Sequence, residues 1–157
     1  MILVALTLPG IKSAMSKGKQ LKCIAQMKQV FLAVGLYAND YHNYFPYIDN
    51  NQPDNQYVGF QAQLGKYLEV NKDDIFKCTS PASSAPTDAY YYYNGLFNDN
   101  FPTTADAVSE SSGTPASKVF VFTCRSGYTG GQASGYYPHS HGVNVLYVDG
   151  HAVWEKK

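Results

Sequence analysis

Leu21-Lys22-Cys23-Ile24-Ala25-Gln26-Met27-Lys28-Gln29-Val30-Phe31-Leu32-Ala33-Val34-Gly35-Leu36-Tyr37-Ala38 is the stretch that decides the fold. Leu21, Ile24, Met27, Phe31, Val34 and Ala38 recur at steps of three and four, while Lys22, Gln26, Lys28 and Gln29 take other faces. That is the period of a helix with one buried stripe. Followed in both directions, the pattern predicts a helix from Ile11 to about Tyr41. Pro9-Gly10 predicts a break or kink at its start, because proline has no amide hydrogen to donate. Asn39-Asp40, Asn43 and Pro46 predict its end.

Beyond the helix the period changes. A loop is expected from Ile48 to Asn55 and a short helix from Val58 to Leu68, with Phe60, Leu64, Tyr67 and Leu68 on one side. Ile75-Phe76-Lys77-Cys78 reads as a short extended piece. Tyr90 to Tyr93 and Leu96-Phe97 favour strand, and Lys118 to Thr123 is the clearest strand of the middle region. Thr103 to Ala116, rich in Ser, Thr, Ala and Pro, reads as a surface excursion. The chain closes with Val143 to Val148, Asp149-Gly150 and His151 to Glu155, a hairpin pattern for which Asp-Gly predicts a two-residue type I′ turn. A long helix followed by short strands gives the α+β class, with the helix packed on a small antiparallel sheet. At 157 residues the expectation is one core. Residues 1–41 form the helical stem and 42–157 the head.

Composition narrows the function classes. Apolar residues make up 45% and charged residues 15%, with 14 Tyr and 8 Phe, which excludes a disordered chain. Such a Tyr-rich, charge-poor surface suits the outside of a cell. Lys12, Lys17, Lys19, Lys22 and Lys28 all precede the first acid, Asp40, so a basic stem carries an acidic head. Such a stem suits lipid phosphates or the head of a neighbouring copy. Nucleic acid is not expected, because no arginine or aromatic stacking platform accompanies these lysines. Met1 to Leu8 is apolar apart from Thr7, too short to cross a bilayer that needs about 20 residues. It reads as the tail end of a longer membrane segment.

Cys23, Cys78 and Cys124 are widely spaced with no C-x-x-C, which argues against a zinc knuckle or a thioredoxin-type motif. One disulfide with a leftover thiol fits, and so do three buried thiols. His139, His141 and Asp149 offer imidazole and carboxylate to a transition metal. His139 and His141 precede the last hairpin while His151 follows its turn, so strand geometry opposes their convergence. We expect no metal and read His139 as a structural residue beside the sheet. Cys124 with His139 suggests a cysteine nucleophile, but no third orienting residue or oxyanion hole accompanies the pair, and no G-x-S-x-G is present. No enzyme is expected.

Two stretches together resemble a known family. Leu8-Pro9-Gly10, Lys22-Cys23-Ile24-Ala25-Gln26-Met27-Lys28-Gln29, Leu36-Tyr37-Ala38-Asn39-Asp40-Tyr41 and Tyr44-Phe45-Pro46 resemble pilin-like, type II secretion pseudopilin-like proteins of planctomycetes and their relatives. His139, nine residues, then Asp149-Gly150 resembles the prepilin-processing-associated H-X9-DG domain of those proteins. Ile75 to Ser80, Tyr93-Asn94 and the Val119 strand fall in the family's order, so the resemblance covers nearly the whole chain.

It implies a structural subunit of an extracellular type IV pilus-like or type II pseudopilus-like filament. The precursor would sit in the inner membrane, be cut by a prepilin peptidase, and assemble with copies of itself through a helix tip that includes Leu3, Leu6, Leu8, Pro9 and Ile11. The basic leader, cleavage site and Glu-bearing apolar stretch of that family are not in this sequence, and we expect them ahead of Met1. Pairing of Cys23 with Cys78 is likewise what the resemblance favours, closing a loop of about 55 residues and contributing roughly 4 kcal/mol. Calcium in a C-terminal loop is a property of the family's major pseudopilins. After Glu110 this chain offers only Asp149 and Glu155 as acidic ligands. The alternative function is an adhesive or carbohydrate-binding head using exposed Tyr side chains, Trp154 and the loop Asn50 to Asn55.

Overall fold

The computed structural model describes residues 3–42, 44–46, 62–68, 75–79, 92–93, 115–124, 126–129, 132–136, 139 and 142–156. Helix α1, Leu3–Asp40, has 38 residues and a length of about 57 Å at about 1.5 Å per residue. It runs through Pro9 and Gly10 rather than starting after them. Pro9 is the seventh residue of the helix, past the first turn, so it removes one amide bond that would otherwise run to the residue 5 carbonyl. At the other end Tyr41 N donates to Tyr37 O (3.0 Å), and His42 turns the chain with φ 55°. That left-handed residue stops the helix.

The buried stripe is rotated from the one read off the sequence. Cys23, Met27, Val30 and Val34 are fully buried and Ala33 nearly so, whereas Leu21 is 66% exposed. Ile24, Phe31 and Ala38 lie half-buried along the edge. Leu21 shares the solvent side with Ile11, Met15, Leu32 and Leu36. α1 thus has two apolar rows, and a sequence period alone does not say which one meets the head.

The head's main sheet is antiparallel, in the order β1 (Tyr92–Tyr93), β2 (Phe120–Thr123), β5 (Gly142–Tyr147), β6 (Ala152–Lys156). Between β2 and β5 the chain forms a separate hairpin of β3 (Ser126–Thr129) and β4 (Gln132–Tyr136). Phe122 pairs with Leu146, which pairs in turn with Ala152, so these three share one face. β5 is buried from Gly142 to Leu146, a run that is apolar apart from Asn144, as suits a central strand. The α+β reading therefore holds, with a long helix laid on a small antiparallel sheet.

The last hairpin differs from the expected type I′ turn. Gly150 N donates to Tyr147 O and Tyr147 N to His151 O, both at 2.9 Å, which leaves a three-residue loop of Val148, Asp149 and Gly150. Only Gly150 takes positive φ (83°); Asp149 does not. This is a type I turn closed by a left-handed glycine. His151 N donates to Asp149 Oδ1 (3.1 Å), which satisfies the loop locally.

Two contacts secure α1 at its C-terminal end. Tyr67 OH donates to Asp40 Oδ2 (2.6 Å) and Lys66 Nζ lies 3.3 Å from the same oxygen. Tyr67 first and Lys66 second hold the Asp40 carboxyl below the usual carboxylate range. Tyr37 stacks on Tyr41 (centroids 4.2 Å apart) and meets Tyr67 edge-on at 6.2 Å. Among the described residues no helix is long and apolar enough to cross a membrane.

Gly142 is where the sheet admits no side chain: a Cβ there would fall 2.6 Å from the Trp154 ring and into the Glu155 carbonyl. Gly142→Ala is expected to cost about 1–3 kcal/mol, read as a lower denaturant midpoint at unchanged slope. An unchanged midpoint would show that β6 can move aside.

Candidate metal centre

Four parts of the chain each deliver one side chain to the same buried point. Cys23 comes from the packed stripe of α1. Cys78 follows Ile75 and Phe76, whose burial anchors that segment under the helix. Thr79 Oγ1 completes the attachment by donating to Lys19 O (3.1 Å). Cys124 directly follows β2, and its amide donates to Asn144 O (3.1 Å). His139 precedes β5 and is bracketed by Gly142: Gly142 N donates to His139 O (2.7 Å) and His139 N to Gly142 O (3.4 Å).

The three sulfurs and one imidazole nitrogen lie within 4.8 Å of one another. Cys78 Sγ is 3.9 Å from Cys23 Sγ and 3.3 Å from His139 Nε2. All four residues are 0–5% exposed. Asn144 N donates to Cys124 Sγ (3.0 Å), and Asn144 Nδ2 reaches Gln20 O on α1 (3.2 Å). Hydrogen bonds from Cys124 and Cys78 pull the Cys23 thiol down, whereas burial, and then Cys23 itself, push the Cys124 thiol up.

This arrangement revises several readings made from the sequence. The absence of C-x-x-C does not keep the cysteines apart, since each ligand comes from a different element. Cys23 and Cys78 are neighbours, as the family pairing requires, but their sulfurs are 3.9 Å apart with no disulfide between them, and Cys124 joins them. His139 does not meet Asp149, because β5 lies between them in the chain and Asp149 is engaged at the turn with His151. His141 falls outside the described residues. Asp149 and Glu155 do not converge as calcium ligands either, for Glu155 Oε1 accepts from Tyr147 OH (2.5 Å), pushing the Tyr147 phenol up to about 12. Cys124 and His139, the pair weighed as a nucleophile and its base, are both buried.

Of the other residues singled out, Ile11 is 55% exposed on α1, and Leu3, Leu6, Leu8 and Pro9 belong to the same helix. Trp154 is partly exposed on β6, and Asn50 to Asn55 lies outside the described residues. The signal that could have revealed the centre was the odd cysteine count together with His139. Each of the four residues sits inside or beside an apolar run, so each was bound for the core.

No protein-family model, no curated protein and no solved structure matches this chain. The centre therefore rests on its own geometry.

Burial predicts thiol chemistry directly. In the native chain none of the three cysteines should react with iodoacetamide. After unfolding with chelator and without reductant, all three should be alkylated, as counted by intact mass. A single alkylation would show instead that two of them are paired.

Proposed function

We propose that this chain is a structural subunit of an extracellular filament of the type IV pilus or type II secretion pseudopilus kind, assembling through α1. The observation that carries the reading is the second apolar row of the helix. Ile11, Met15, Leu21, Leu32 and Leu36 are 53–68% exposed on the side turned away from the buried stripe. Exposed apolar rows of this length suit an interface. Residues 10–15 of α1 are all exposed, ahead of the contact that Lys19 O makes with Thr79 Oγ1 of the head. A long helix on a small antiparallel sheet, with one helix face left for neighbours, is the layout that helix-to-helix packing in a filament needs.

The occupant of that row is a second copy of the chain. Lys12, Lys17, Lys19, Lys22 and Lys28 are exposed on the same helix, and the remainder of the sequence has an excess of acid, so copies attract along a staggered array. Salt weakens this attraction over a screening length of about 10 Å. In this reading the inner membrane and a prepilin peptidase act on the precursor, as the resemblance to H-X9-DG pilin-like proteins implies, and the subunit's own role is polymerisation rather than catalysis.

Replacing Leu32 and Leu36 together by Glu places charge on the row without touching the buried stripe. Cells carrying L32E/L36E should yield little or no sheared filament, while the purified variant keeps the wild-type unfolding midpoint. Undiminished filament yield would remove this face from assembly.

A further inference from the structure

We infer that Cys23, Cys78, Cys124 and His139 bind one Zn2+ as a closed tetrahedral Cys3His site that fastens α1 to the head. A tetrahedron with Zn–S bonds of about 2.3 Å and a Zn–N bond of about 2.0 Å has S···S edges near 3.8 Å and S···N edges near 3.5 Å. The observed 3.9 Å and 3.3 Å are of that size, and all four donor atoms fall within 4.8 Å of one another. A disulfide would bring one pair to about 2.05 Å and leave the third sulfur and the imidazole without a purpose at the same point.

The donor set selects the metal. Three thiolates and one imidazole are soft-to-borderline ligands, which favour Zn2+ over the oxygen-seeking Ca2+ and Mg2+. All four ligands come from the protein and all four are buried, so no position remains for substrate or water, and the site is structural. Three thiolates around a divalent cation leave one net negative charge, and Asn144 N–H points at Cys124 Sγ to meet it. The same asparagine reaches Gln20 O, so the support of the metal and the attachment of the helix share one residue. Binding releases the thiol protons to solvent, with no oxidant or reductant involved.

The site ties together α1, the segment through Cys78, the end of β2 and the entry to β5. The consequence is that helix and head are held as one body by the ion. This inference does not depend on filament assembly: the metal could be present in a chain that never polymerises, and absent from one that does.

The test uses the full chain purified without chelator. Metal analysis and native mass spectrometry should find one Zn2+ per chain, and titration of the reduced, metal-stripped chain with Co2+ should give intense tetrahedral d–d absorption and a thiolate charge-transfer band, both saturating at one equivalent. Cys124→Ser and His139→Ala should each weaken binding by at least about 10-fold, the lower end of what loss of even a supporting residue costs. Cys124 is the diagnostic position, because a Cys23–Cys78 disulfide would be indifferent to it. If a variant fails to fold, the Co2+ spectrum of the wild-type chain still decides. A metal-free chain lighter by two hydrogens, or a Co2+ spectrum without thiolate bands, would overturn the proposal.

Discussion

The contact on which the rest of the structure depends is the meeting of Cys23, Cys78, Cys124 and His139 at the seam between helix and sheet. Around it the apolar stripe of α1, with Met27, Val30 and Val34 at full burial, packs into the core shared with Phe122 and Leu146. Each such side chain contributes about 1.5–3 kcal/mol by leaving water, enough to hold a helix on a sheet but indifferent to small shifts along the axis. The directional contacts fix the register. Asn144 Nδ2 on Gln20 O, Thr79 Oγ1 on Lys19 O and the four-residue cluster stand together near the middle of the helix. Tyr67 and Lys66 on Asp40 fix the far end.

That division of labour leaves a second face of the helix uncovered by the described residues of the head. A narrow stripe suffices for the head once polar and sulfur contacts have set its position, which leaves Leu21, Leu32 and Leu36 facing outward. The same economy is visible in β5. The strand carries the core-facing residues Val143, Val145 and Leu146, while buried Asn144 joins the sheet to the helix and places a backbone donor on sulfur.

Much of this was legible in the sequence. The three-and-four spacing from Leu21 to Ala38 gives the helix, Lys118 to Thr123 and Val143 to Val148 give the two central strands, and Asp149-Gly150 marks the final turn. The phase of the stripe was not legible, since two apolar rows run along α1 and only contact with the head distinguishes them. The turn type was missed because Asp-Gly serves both type I′ and the three-residue loop, and strand register chooses between them. The cluster was hidden for a different reason. Local spacing reveals a metal motif when neighbouring residues supply the ligands, whereas here the fold gathers them from four separate elements, and cysteine reads equally well as a small apolar core residue.

X-ray absorption at the zinc edge of the purified full chain tests the central claim most directly, since it reports the atoms around the metal without requiring a variant to fold. The account predicts a first shell of three sulfurs at about 2.3 Å and one nitrogen at about 2.0–2.1 Å. A shell of oxygen and nitrogen alone, or a preparation with no zinc edge at all, would contradict it.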